Sequence, residues 1–325
     1  MTNMQFTGTP LAFAFVLGMA ATASAQVYPS RPVTLIVPFP AGGGVDAMAR
    51  ITAERLTAAF GQQVVIDNRG GAAGVIGTRA AAKAIPDGYT LVMSTSGTTS
   101  INPSLYANPG YDTLKDFTPI GLVASTPIVV MAHPSFRATS ISELIALART
   151  QEHLDVGTPP PGTENYLAAE LFKSMTGINM TIVSYKGTGP LTNDLVGGHI
   201  SVAFNTIAPA LGNLQSKLLR ALAVAGRTRS VLLPDVPTVG ESGLPGFEAT
   251  VRYGLLAPIG TPRPIIDRIN SELRATVSAG SARSRIAAQG GEPLFSTPEE
   301  YAADIERTKA ASSALKRGAS SKKGE

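Results

Sequence analysis

After residue 30 the chain alternates between two periodicities, and that alternation restricts the folds open to it. VTLIV (33–37) is a short apolar run of strand character. From Val45 the positions Val45, Met48, Thr52, Leu56 and Phe60 recur at helical spacing, with Gly61 placed to stop the helix. VVID (64–67) predicts the next strand, GVIGTRAAAKA (74–84) a helix, Pro86-Asp87-Gly88 a turn and YTLVM (89–93) a third strand. Buried strands separated by helices of this length predict an α/β chain built on parallel sheet with crossover helices.

The pattern then starts again. PIVVMA (127–132) reads as a strand, and ISELIALAR (141–149) as a helix opened by Ser140. HLDVGT (153–158) leads through a proline–glycine loop into the helix ENYLAAELFKSM (164–175). TIVSY (181–185), a short helix near 190–196, ISVAFN (200–205), a helix near 207–216 and LRALAVA (219–225) complete a second α/β set. The turn-rich PDVPTVGESGLPGFE (234–248) connects it to the strand TVRYGLLAP (250–258), and helices near 262–278 and 298–315 close the chain. These two sets predict two lobes, residues 26–125 plus 251–325 and residues 126–250, joined at crossings near 124–127 and 248–252.

The chain has 325 residues with 44% apolar and 15% charged residues, which is enough for about two domains with substantial cores. Its formal net charge is +4, and the densest basic cluster is the terminal KRGASSKKGE (316–325), which reads as a solvated tail and gives no case for a nucleic-acid partner. The absence of cysteine excludes disulfides and thiol chemistry. His133, His153 and His199 lack metal-ligand spacing, so no metal site is expected. LAFAFVLGMAATA (11–23) is shorter than the ~20 residues of a membrane span and ends on Ala23-Ser24-Ala25. This is the pattern of an export signal cleaved after Ala25, although residues 1–10 hold no Lys or Arg; a buried N-terminal helix is the alternative.

The candidate site residues lie in the loops that follow predicted strands, where open α/β sheets bind ligands. VPFPAGGGVDAMAR (37–50) places three glycines at a helix N-terminus, suited to an anion. Gly42, Gly44 and Ala47 also satisfy G-x-G-x-x-A, with Asp67 placed to hold a ribose, so an NAD-dependent oxidoreductase is the rival reading. Pro38 and Pro40 stiffen the approach in a way the dinucleotide fingerprint does not want. Asp46, in the first helical turn, fits a cap complementing the helix dipole better than a catalytic acid. STSGTTS (94–100) puts six hydroxyls and a glycine in seven residues, suited either to an anion or to capping its own turn. GTPPPGTE (157–164) is a third such loop, with Thr163 as N-cap. No nucleophile elbow accompanies these donors, which favours binding without chemistry and without a cofactor.

The ordered segments VPFPAGGGVDAMAR, IDNRGGAAGVIG, DGYTLVMST, INPSLY, YDTLKDFTPIGLV, LAAELFKSMTG, VSYKGTGP, RALAVAGRTRS and PDVPTVGESGLPGFE resemble Bug-type periplasmic solute receptors of the tripartite tricarboxylate transporter systems, over residues 31–300. The resemblance implies a two-lobed periplasmic-binding-protein (Venus-flytrap) fold of the type II kind. It implies a monomeric receptor delivering a small carboxylate, a di- or tricarboxylate or an aromatic acid, to a membrane permease. A receptor of this fold that signals to a sensor partner is a further alternative. By the same resemblance, ligand contacts fall on Phe39, Ala41, Gly42 and Gly43, on Ser94, Thr95, Thr98 and Thr99, and on Thr158 and Thr163. The chain departs from the usual pattern at Val45 (threonine is usual), Pro160 (glycine), Tyr166 (histidine) and Asn205 (aspartate). Asn205 ends the strand ISVAF, where a side chain facing the cleft would select ligands without an ammonium group; capping of the following helix is the alternative.

Overall fold

The computed structural model describes residues 2, 28–150 and 153–321. The export signal expected over residues 1–25 lies outside the described residues, Thr2 excepted. Ten strands are present among the described residues: β1 (Val33–Val37), β2 (Val64–Asn68), β3 (Thr90–Thr95), β4 (Phe117–Ala132), β5 (Leu154–Thr158), β6 (Met180–Ser184), β7 (Val202–Thr206), β8 (Arg220–Val224), β9 (Thr250–Pro258) and β10 (Glu292–Pro293). They are arranged β2-β1-β3-β9-β4-β7-β5-β6, with β8 and β10 also paired to β4.

β4 organises the molecule. Its first part, Phe117 to Pro127, pairs antiparallel with β9, whereas Ile128 to Ala132 pairs antiparallel with β7 and β8. One strand therefore passes from a first sheet to a second. The return crossing lies beside it: Ile128 N–H donates to the Ala249 carbonyl at 3.1 Å, and Ala249 N–H to the Ala225 carbonyl at 2.7 Å. Each sheet with its helices forms a lobe. The expectation of parallel sheet is correct for β2-β1-β3 and for β6-β5-β7 only. β4 and β9 are antiparallel because they carry the chain between lobes rather than belonging to a βαβ repeat. The strand expected at 127–132 begins ten residues earlier, at Phe117. The helix expected near 207–216 is a 3₁₀ turn followed by Leu211–Gln215, and Gly280–Ala288 is an additional helix.

Strand alternation sorts the core into three layers. Val33, Leu35 and Val37 of β1, Leu91 and Met93 of β3, Phe204 of β7 and Tyr253 of β9 share one layer that continues through both lobes. Ile36, Val92 and Leu256, from the opposite face of the first sheet, pack with Tyr301 of the final helix Pro298–Ser321. Val129, Met131 and Ala203 pack with Leu191 and Leu195 behind the second sheet. A sheet covered on both faces accounts for strands that read as continuous apolar runs. No helix among the described residues is long and apolar enough to cross a membrane.

Candidate functional site

A partly open cavity of about 50 Å³ lies between the lobes, at the carboxyl ends of strands from both sheets. Its apolar wall is formed by Phe39, Pro40, Ala41 and Val45 from the first lobe, Pro159 and Pro190 from the second, and Val251 of β9. Drug-sized pockets run to ~300–1,000 Å³, so this volume suits only a small ligand.

Three helix N-termini meet there. The helix Gly44–Phe60 follows β1 and has Gly43 as N-cap; Thr188–Val196 follows β6 and has Gly187 as N-cap. Glycine has no side chain to satisfy the first-turn N–H groups, and neither helix has a side-chain cap. Both caps line the cavity, and a Cβ on Gly43 would lie 2.9 Å from Thr188 Oγ1. Two positive helix ends are thus brought almost into contact, an arrangement that repels unless something negative lies between them. The third helix, Glu164–Thr176, is capped by Thr163, whose hydroxyl accepts the Tyr166 N–H at 3.4 Å and donates to the Pro160 carbonyl at 2.7 Å.

The structure brings Phe39, Ala41, Gly43, Thr95 and Thr163 to the cavity wall, leaves Gly42 exposed beside it, and buries Ser94, Thr98, Thr99, Thr158 and Asn205 away from it. Gly42 turns the chain at φ +82°, and its N–H is held by Asp46 Oδ2 at 3.0 Å. Burial raises the Asp46 pKa, but hydrogen bonds from Arg50, Gly42 and Asn68 outweigh it, and the carboxyl lies below its ordinary value. This is the cap role expected of it. STSGTTS is not an open loop: β3 runs through Thr95, and Gly97–Ile101 forms a buried π-helical turn. Ser94 donates to the Gly254 carbonyl at 2.8 Å and meets Tyr301 Oη at 2.8 Å, while Thr98 and Thr99 both donate to the Thr95 carbonyl. Alternation along β3 decides this: Thr95 shares the cavity face with Met93, and Ser94 faces the final helix. Thr158 is buried and donates to the Pro159 carbonyl at 2.8 Å.

Asn205 is displaced by the same rule. Val202, Phe204 and Thr206 of β7 lie on the cavity face, so Asn205 points behind the sheet, fully buried. There it donates to Thr192 Oγ1 at 2.9 Å and to the Thr188 carbonyl at 3.3 Å, and accepts the Thr206 N–H at 2.8 Å. It neither faces the cleft nor caps the helix after it; it fastens the start of Thr188–Val196 to β7. The residue on the cavity face is Thr206, one position on, whose buried hydroxyl has no hydrogen-bond partner among the described residues. Asn165, Thr188, Tyr253 and Glu164 also line the cavity without having been singled out. The motif VSYKGTGP contained the signal for Thr188: glycines between a strand and a helix, as in the first loop. Asp67, the rival reading's ribose ligand, is paired with Arg69 at 2.7 Å.

The model of the family described as the tripartite tricarboxylate transporter family receptor matches residues 48–317. The chain belongs to this family. It is similar to the protein BugT of Bordetella pertussis, 37% identical over 290 residues covering 89% of each chain. It is also similar to the solved structure of R. palustris Rpa4515 with adipate (35% identity, TM-score 0.85, 87% of this chain and 95% of that one). MatC from Rhodopseudomonas palustris with bound malate is a third relative (30% identity, TM-score 0.83, 89% and 99%). The two lobes joined through β4 and β9 are the periplasmic-binding-protein fold, as the resemblance implied.

Proposed function

We propose that this receptor captures a small organic carboxylate between its lobes and delivers it to the permease of a tripartite transporter. The observation that carries the reading is the pair of glycine-capped helix starts, one from each lobe, facing each other across the cavity. Each carries about half a positive charge, so a carboxylate ~4 Å from each, at an effective dielectric near 20, gains about 2 kcal/mol per helix before screening. Without an anion the two ends repel by about 1 kcal/mol at ~5 Å, which favours the open state until the ligand arrives. The apolar wall of Phe39, Ala41, Val45 and Val251 suits the ligand's carbon chain, and Thr95, Thr163 and Thr206 offer hydroxyls. The adipate and malate in the two similar structures support this ligand class.

The moving units are residues 26–125 plus 251–325 and residues 126–250, hinged where β4 changes partner and where β9 begins. Export to the periplasm with cleavage after Ala25 completes the reading, and intact-mass measurement of periplasmic material checks it. The functional test is a thermal-shift screen of the mature protein against C3–C6 mono-, di- and tricarboxylates, aromatic acids and amino acids. A ligand at a hundredfold its dissociation constant adds about 2.7 kcal/mol, roughly 5 °C for a chain of this size. A panel in which no acid shifts the transition refutes the reading.

A further inference from the structure

Glu164 is the one carboxyl or cationic side chain among the described residues lining the cavity. It opens the second-lobe helix Glu164–Thr176 and crosses the seam to accept the first-lobe Gly97 N–H at 2.5 Å. The groups around it come from three elements. The segment where β3 runs into the π-turn supplies the Thr95 and Ser96 side chains and the Gly97 amide. β9 supplies Tyr253 and the final helix Tyr301, both phenols pushed well up by burial and therefore neutral. Arg252 and Asp304 pair with each other at 3.0 Å and act on Tyr301. Closure therefore strips water from this carboxyl and gives it an amide and hydroxyls but no cation.

A ligand carboxylate held at the Gly43 and Gly187 helix starts would be a second negative charge in the same small cavity. Two carboxylates confined in this way do not both stay ionised; one takes a proton. We infer that Glu164 takes up a proton as the ligand is captured, so that the receptor binds one carboxylate and one proton together and releases both on opening. This inference rests on the carboxylate-receptor reading. Burial already pushes the Glu164 carboxyl above its ordinary value, against the backbone and hydroxyl bonds that favour its charge. Protonated, it has one O–H to donate to a ligand oxygen.

The direction of the pH effect follows. In the open receptor water would again reach the carboxyl, and it would titrate closer to its ordinary value. In the closed, liganded receptor it titrates higher. Between the two values binding consumes a proton, and affinity falls as pH rises, by at most about tenfold per pH unit. The test is calorimetry with malate from pH 5 to 8, in buffers of different ionisation heat, on wild type and Glu164→Gln. The glutamine oxygen still accepts the Gly97 N–H, and malate's own titration is common to both proteins and cancels in the difference. On binding, wild type should take up more protons than Glu164→Gln does, by a substantial fraction of one. Its affinity should fall with pH, while that of Glu164→Gln stays within about twofold. If malate binds with identical proton uptake in both proteins, the proton linkage is overturned and the carboxylate reading stands. If neither malate nor any other acid of the screen binds, both fall together.

Discussion

Substituting Gly97 by alanine tests whether the seam between the lobes belongs to the ligand-bound state. A Cβ there would lie 2.9 Å from the Gly162 carbonyl oxygen, 2.9 Å from Glu164 Oε2 and 3.1 Å from Thr95 Oγ1. The first two atoms belong to the second lobe, and the Gly162 oxygen is backbone and cannot rotate aside. Gly97 does not have a left-handed φ, so alanine adds no backbone strain. The two 2.9 Å clashes therefore exist only when the lobes are closed, while the milder 3.1 Å contact is with a side-chain atom of the same lobe and remains in either state. Overpacking of this kind costs about 1–3 kcal/mol, which is about a five- to 150-fold loss of affinity. Ligand-free protein, free to open, should unfold within about 2 °C of wild type. Calorimetry with the acid found in the screen reads the affinity, and small-angle scattering reads the compaction on binding. Wild-type affinity together with wild-type compaction in Gly97→Ala would show that the ligand-bound receptor does not close along this seam.

Thr206→Val removes a buried hydroxyl that has no protein partner among the described residues. Affinity should fall about two- to twelvefold while ligand-free stability holds or rises, and unchanged affinity would remove Thr206 from the site. Asn205→Asp loses the donor to the Thr188 carbonyl and should destabilise the fold by about 1–3 kcal/mol in denaturant melts. The ranking of acids over amino acids should stay unchanged; a reversed ranking would restore a charge-selecting role. Asp46 has a folded pKa below its ordinary 3.8, so the stability it contributes is present above that value and lost as pH falls through the folded value. Asp46→Asn should flatten the stability curve below about pH 4, and an acid limb identical to wild type contradicts this.

The βα units were legible because each strand is a short segment rich in apolar residues and soon followed by glycine or proline, most continuously apolar in β1, where the sheet is covered on both faces. β4 was legible only in its second half. Pro119 and Gly121 interrupt Phe117–Ala132 where its register with β9 shifts, and Pro127 where it changes partners, so local pattern breaks where topology needs a long strand. The loops of the site were legible as donor-rich segments, but their individual side chains were not. Asn205 and Thr206 are adjacent and differ only in the face they take, and Ser94 and Thr95 repeat the case in β3. Which face is buried behind a sheet depends on what packs there: Tyr301 in one lobe, Thr192 in the other. Glu164 was not among the candidate residues, because in the sequence nothing distinguishes it from any other first-turn acid. Its place at the seam depends on the other lobe, which contributes Gly97 from 67 residues away.

The central claim is that two helix starts, one from each lobe, hold the ligand's carboxylate between them. A crystal structure of the receptor grown with the acid that gives the largest thermal shift tests it directly. The account predicts carboxylate oxygens within about 3 Å of backbone N–H groups of both residues 43–45 and residues 187–189. A carboxylate bound elsewhere, or held from one lobe alone, would contradict it.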